Sequence, residues 1–435
     1  MQMWKMRGRR RNRMWDVRLV LVLAFVTALL VAAAVFYLGW GVLGVDKVKK
    51  EKAIDASTLF DLVKLAFGVV AGAGALVALI VAYRRQRIDE DGALREHTRL
   101  HTERFTTAVT QLGDDSAAVK LGGVHALAGL ADDAPTPELR QTCVDVMCAF
   151  LRLPYTAEAD IPSGDEKVRH DYLALREVRH TVIRLIRDHL RLPGNDPHSW
   201  QGVDLDFTGV VFDGGDFSDA HFRNCTVSFD QATFASGRVN FEDMHMSGSR
   251  VTFSAARFIG AHVSFLGCLL KGDGTVDFHR AEFMRGTADF HEVWVTERVL
   301  LNFLGASFLG GKVSFAGVTV ESATLLFDHC RFTSGQVDFT KAEFSGLISF
   351  AHASFIGGLD GPTVSMRRVV FAGGMIRFND VYVESGVITW RDVRYGAGSV
   401  NFTGAVGQPP EGLLVSGIPL PDTVTIPAEW QPPEN

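Results

Sequence analysis

Large apolar residues recur along the second half of the chain at Phe229, Phe234, Phe241, Met246, Phe253, Phe258, Phe265 and Leu270, with steps alternating between five and seven. The underlying period is therefore twelve. Single-residue slips interrupt the series. It resumes through Phe278, Phe283, Phe290 and Val295, continues from Phe303 to Phe344, and closes at Phe402. The residue two places earlier completes the signal. Before the seven-step positions it is usually β-branched, as at Val239, Val251, Val263 and Val337. Before the five-step positions it is often small, as at Ala232, Ala256, Ala281 and Ala342. Side chains at i−2 and i that point the same way are strand geometry.

Units this short cannot bury an apolar face alone, whereas stacked coils can. Two twelve-residue units make one turn of about 24 residues, so a parallel β-helix of about eight coils is predicted over 203–406. Phe253, Phe258 and Phe265 should point inward with Val251 and Val263 beside them, and Arg257 outward. The segment 407–435 carries seven prolines and is read as a Pro-rich tail. Within it "GLLVSGIPL" is expected to cover the last coil, and the final dozen residues to be mobile.

The amino-terminal pattern is different. Leu19–Leu38 and Leu65–Tyr83 are uncharged apolar runs, each long enough at about 1.5 Å per residue to cross the hydrocarbon core. They predict a transmembrane hairpin: a basic tail at 1–18, a helix at 19–38, an external loop at 39–64 and a helix at 65–83. The tail holds seven Lys/Arg, and Arg84, Arg85 and Arg87 follow the second run. That bias puts both termini and the β-helix on the cytoplasmic side of a multi-pass cell-membrane protein.

Between the hairpin and the repeats, 84–200 reads as a small all-α connector. Leu100, Phe105 and Val109 fall near helical spacing, and Val119, Leu121, Val124, Leu127 and Leu130 form a stripe behind a capping Asp-Asp. Thr136, Pro137 and Glu138 form a start signal. A last helix should face the core with Leu173, Val178, Val182, Leu185 and Ile186.

Composition narrows the function. A net charge of −6 argues against a general nucleic-acid binder, and five scattered cysteines without a CxxC pair argue against a disulfide or zinc framework. His97 and His101 share a helix face, but the neighbouring turns supply no further ligand, so both are read as solvated. Cys143, Cys148, Cys225, Cys268 and Cys330 read as small core fillers. Asp277, Asp289 and Asp338 precede core residues at the outward phase, and read as solvated or ladder-forming. His245, His262, His279, His291, His329 and His352 are scattered in phase. No catalytic, cofactor-binding or metal-ligating residue is singled out, and no cofactor is expected.

The stretch "DLDFTGVVFDGGDFSDAHF", centred on Phe207, Phe212, Phe217 and Phe222, resembles the pentapeptide-repeat family, as do "AEF" at 281–283 and 342–344 and "ASF" at 306–308 and 353–355. The resemblance implies a right-handed quadrilateral β-helix. The order of hairpin, "RFTTAVTQLGDDSAAVKLGGVHALAGLADD" and repeats resembles membrane-anchored actinobacterial members with two transmembrane segments. The seven-residue steps depart from the family pattern and predict bulged corners or longer faces.

Three functions follow for such a chain. The leading one is a non-catalytic, membrane-tethered scaffold that contacts the lipid bilayer through 19–38 and 65–83 and binds an unidentified protein partner. A second is an acidic DNA mimic that binds a topoisomerase, as the family resemblance suggests; 22 acids against 16 bases over 203–406 make the rod acidic but mixed. A third is a β-helix enzyme acting on an extended polymer, which would need convergent acids or bases in a groove. Direct nucleic-acid binding is not expected.

Overall fold

The computed structural model describes Val26, Thr27, Leu30, Ala33, Ala34, Tyr37 and Leu38 and, from Asp55 onward, all residues except 159–160, 162–164, 358–360, 416–417 and 432–435. The basic tail and most of the first apolar run therefore lie outside the described residues. Two compact units divide the chain, Met1–Thr98 and Arg99–Asn435.

Helix α1 runs from Ala56 to Leu112. It starts ahead of the expected Leu65, because nothing in 56–64 breaks a helix. It also continues past Tyr83, since the shift from apolar to charged residues there contains no proline and no cap. Its segment Leu59–Leu112 is long and apolar enough to cross a membrane, with a mean hydropathy of 2.5 over its most apolar window. It is the one such helix among the described residues.

In the second unit, α2 (Ala117–Asp132), α3 (Pro137–Arg152) and α4 (Glu166–Arg191) pack on one another. Thr136 caps α3 by accepting the Leu139 amide, with Pro137 behind it, as the start signal predicts. Asp165 caps α4 through the Lys167 and Val168 amides, both at 3.1 Å. Val178, Val182 and Ile186 are buried as expected, but Leu173 is exposed and Tyr172, one position back, goes inside to reach a carboxylate. Val119 is likewise exposed at the edge of its stripe.

From Leu205 the chain forms a parallel β-solenoid of about nine coils, with strands stacked in four sheets. Sheet A runs from Leu205–Asp206 to Val424–Thr425, sheet B from Val211–Phe212 to Val406–Gly407, sheet C from Gly215–Asp216 to Val387–Thr389, and sheet D from His221–Arg223 to Arg394–Tyr395. Most strands of sheets A and C hold three residues, whereas those of sheet B hold two. This is where the seven-residue steps go. Val227 pairs with Val251 and Val251 with Val276, so these turns take 24 and 25 residues. Leu205 to Val227 takes 22, and Ile348 to Ile376 takes 28.

The inward phase is as predicted. Phe253, Phe258 and Phe265 are buried with Val251 and Val263, while Arg257 is exposed. Phenylalanines of successive coils stack face to face in columns, Phe229 on Phe253 on Phe278 at 4.7 and 4.6 Å. Edge-to-face contacts link the columns, as between Phe253 and Phe265 at 5.7 Å. Cys225, Cys268 and Cys330 fill the small positions of the core.

Both ends are covered. The tail does more than the proline count suggests: Val424–Thr425 adds a last strand to sheet A. Trp430 donates to the Gly407 carbonyl at 2.8 Å and packs over Phe402 at 5.6 Å. Among the described residues of "GLLVSGIPL", Leu413 is buried and Leu414, Val415 and Ile418 are exposed.

Candidate functional site

The densest polar constellation lies where the helices meet the first coil. The chain turns there through "FDGGDF", and Gly214 and Gly215 have positive φ. A Cβ on Gly214 would sit 3.2 Å from the His180 ring, and one on Gly215 3.2 Å from Ile183. Glycines thus let α4 lie on the open edge of sheet C, a row of backbone groups that would otherwise be unpaired.

Asp213 is 3% exposed and sits at the centre of this contact. It accepts hydrogen bonds from the Tyr155 hydroxyl at 2.5 Å and the Tyr172 hydroxyl at 2.6 Å, and lies 3.2 Å from His180 Nε2 and from Arg176 Nε. Burial works against the charged form, but the bonds from His180, Tyr155 and Tyr172 outweigh it and hold the carboxyl well below the usual carboxylate range. Burial, and then the bond to Asp213, push Tyr172 up to about 12 and raise Tyr155 as well. Arg179 is buried alongside. It donates to the Leu151 carbonyl at 2.7 Å and the Val211 carbonyl at 2.8 Å, and lies 4.0 Å over the Tyr155 ring. Burial lowers its pKa.

Further ion pairs extend the junction. Arg152 reaches Asp206 at 2.8 Å, Arg187 reaches Asp216, and Arg191 reaches Asp219 at 3.0 Å and Ser218. A second, half-buried node binds the connecting loop: Asp132 accepts from Trp200 Nε1 at 3.1 Å, lies 3.1 Å from His189 Nε2, and the His189 and Trp200 rings stack at 4.0 Å. Beside the first node is a cavity of about 710 Å3 lined by Arg176, His180, Arg184, Arg187, Gly214 and Asp216 among others. Its arginines mostly face acids already. Arg184 is exposed, and has no ion pair among the described residues.

A His–Asp pair could serve proton transfer if a reacting group stood beside it. Here the Asp213 oxygens are taken up by Tyr155, Tyr172 and His180, and the imidazole faces the turn that it holds. The arrangement fastens helix to coil.

The residues considered from sequence fall elsewhere. His97 is exposed, but His101 is buried, with Nε2 3.0 Å from the Leu130 carbonyl. Its expected solvation is corrected by α2 packing over that turn. Cys143 and Cys148 are buried in the helical core. Asp277, Asp289 and Asp338 serve the corners of the coil. Each accepts the amide two residues on, from His279, His291 and Thr340 at 3.0, 3.0 and 2.9 Å, closing the corner after the core phenylalanine. His329 and His352 stack at 4.9 Å, and His352 lies 3.9 Å from Asp380. Groups of three or more metal-ligating side chains are absent among the described residues. The junction was missed because its members, from Asp132 to Asp219, share no period. The doubled glycine beside Asp213 was its one local signal.

Residues 207–257 match the family described as pentapeptide repeats, in nine copies. This stretch is similar to that family. It covers the first coils, including the turn at Asp213, and the same strand register continues beyond it to Val406–Gly407. No curated protein matches the chain. A pentapeptide-repeat solenoid of this kind is consistent with a protein-interaction module.

Proposed function

We infer that the chain is a non-catalytic scaffold of the membrane-anchored type with two transmembrane segments, 19–38 and 65–83, that presents its helices and solenoid to a protein partner on the cytoplasmic side. The observation that carries the reading is the junction at Asp213, which ties the helices to the first coil through Tyr155, Tyr172, His180 and Arg176. Pentapeptide-repeat solenoids are generally structural or interaction modules. The bilayer contact is supported by bare apolar side chains on α1, among them Leu65, Phe67, Val70 and Leu79. A four-cornered right-handed rod with twelve-residue half-coils, and the division into tail, span, loop, span, connector, rod and tail, belong to the same reading.

Alkaline carbonate extraction combined with proximity labelling in the native cells tests it. The full chain should stay in the pellet and label a defined protein, and residues 1–83 alone should not label that protein. Release into the supernatant overturns the anchor, and labelling by residues 1–83 alone overturns the scaffold.

A further inference from the structure

The corner that joins sheet C to sheet D carries two outward residues per coil, the second in the left-handed conformation, as at Asp219, Asp243, Glu292, Lys341 and Arg368. The corners form one column, because the amide of each bonds to the next coil, from Asp219 to Glu242 at 2.9 Å down to Arg368 to Arg391 at 2.9 Å. Charge is unevenly placed along it. The first four coils contribute Asp219, Glu242, Asp243 and Glu292, with no Lys or Arg. The last four contribute Lys341, Arg367, Arg368 and Arg391, with Asp392 the single acid.

Three of these charges, Asp243, Lys341 and Arg367, are exposed and make no ion pair among the described residues. Arg368 has only a long contact to Asp392, at 3.9 Å. In the middle of the column Gly267, Ala316 and Gly317 alternate with the larger Leu266, His291 and Glu292. Two positions past Glu292 stands Trp294, a half-exposed tryptophan on sheet D beside that middle. A half-exposed tryptophan beside a charged column has the composition of an interface centre.

The column is self-complementary when reversed. Asp243 in the second coil and Arg368 in the seventh lie equally far from the midpoint between Glu292 and Gly317, about 12 Å at the usual strand spacing. A two-fold axis at that midpoint, normal to the rod, brings Asp243 of one copy to Arg368 of the other, twice, and Glu242 to Arg367, twice, while at the ends Asp219 faces Asp392. Parallel pairing would set acids against acids. We propose that two copies of this chain pair side by side and antiparallel along the corner between sheets C and D, with Trp294 near the two-fold axis.

Sedimentation of the full chain in mild detergent at low and high salt tests the pairing. The left-handed corner accepts either charge, since Arg280, Arg368, Asp380 and Asp392 all occupy such corners, so Asp243→Arg and Arg368→Asp leave the fold intact by circular dichroism. The wild type should sediment as a salt-sensitive dimer. Each single variant should lose about tenfold in association through facing like charges. An equal mixture of the two variants should recover it, because every reversed pair is then opposite in sign, and the double variant should recover it alone. Trp294→Ala should weaken pairing at both salt concentrations. A monomeric wild type, a dimer indifferent to the single reversals, or a mixture that fails to recover overturns the proposal.

Discussion

Phe258 lies between Phe234 and Phe283, with ring centroids 4.7 and 4.6 Å away and planes 11° and 12° from parallel. The neighbouring Arg257 points the other way, half exposed, with its guanidinium 3.7 Å from Glu282. One residue of phase separates the core from solvent.

Replacing Phe258 by Asp exchanges a stacked ring for a buried charge and should destabilise by roughly 4 kcal/mol or more. Arg257→Asp should cost about 1 kcal/mol or less, the range of an exposed ion pair. Urea unfolding of the detergent-solubilised chain measures both. Comparable losses would mean that inside and outside are exchanged.

Asp213→Asn removes the charge that gathers Tyr155, Tyr172, His180 and Arg176, and should destabilise by about 2–3 kcal/mol at neutral pH, less than a fully buried pair because Arg176 reaches solvent. The sign with pH follows from the depressed pKa. The stabilisation is fully present above the unfolded value of about 4 and fades as pH falls through the lower folded value. Unfolding midpoints of wild type and variant should therefore differ at pH 7 and converge in strong acid. A constant gap across that range would remove the charge from the explanation.

The corner aspartates give a finer test. Asp277 accepts from the His279 amide at 3.0 Å and from the Asn302 side chain at 2.9 Å. Asp277→Ala should cost about 1 kcal/mol, the net worth of a typical hydrogen bond. Asp277→Asn should be nearly silent, because Asn240, Asn302 and Asn401 close other corners in the same way. If asparagine were as harmful as alanine, the charge rather than the turn would matter.

The cysteines should resist labelling. Burial pushes Cys143 up to about 11 and Cys148 and Cys268 up to about 12, and raises Cys225 and Cys330 too, so little thiolate exists at pH 8. A maleimide should modify the native chain slowly at all five positions and rapidly in denaturant. Fast modification of any one in the native chain would place that thiol outside the core.

The rod was legible in the sequence because its physics is periodic. A large ring at one position and a branched or small residue two before it recur coil after coil, and each recurrence reports the same inward phase. Asp277, Asp289 and Asp338 stood in the same register, but their role as turn acceptors needed the corner geometry. The junction is different in kind. Tyr155, Tyr172 and His180 meet Asp213 across up to 58 residues of chain, and no local pattern records that meeting. The reach of α1 was hidden for the opposite reason: hydrophobicity marks the apolar run 65–83, whereas the helix that contains it runs from Ala56 to Leu112 because no proline interrupts it.

Helix α4, laid over the first strand of sheet C, has a consequence for how the molecule comes into being. Paired strands are only 22 to 28 residues apart in sequence at either extreme, so closing one coil on the last costs nearly the same loop entropy each time. The first coil alone has a partner that needs no earlier coil. A chain emerging in sequence order therefore meets, at every stage of its synthesis, a finished surface to add to.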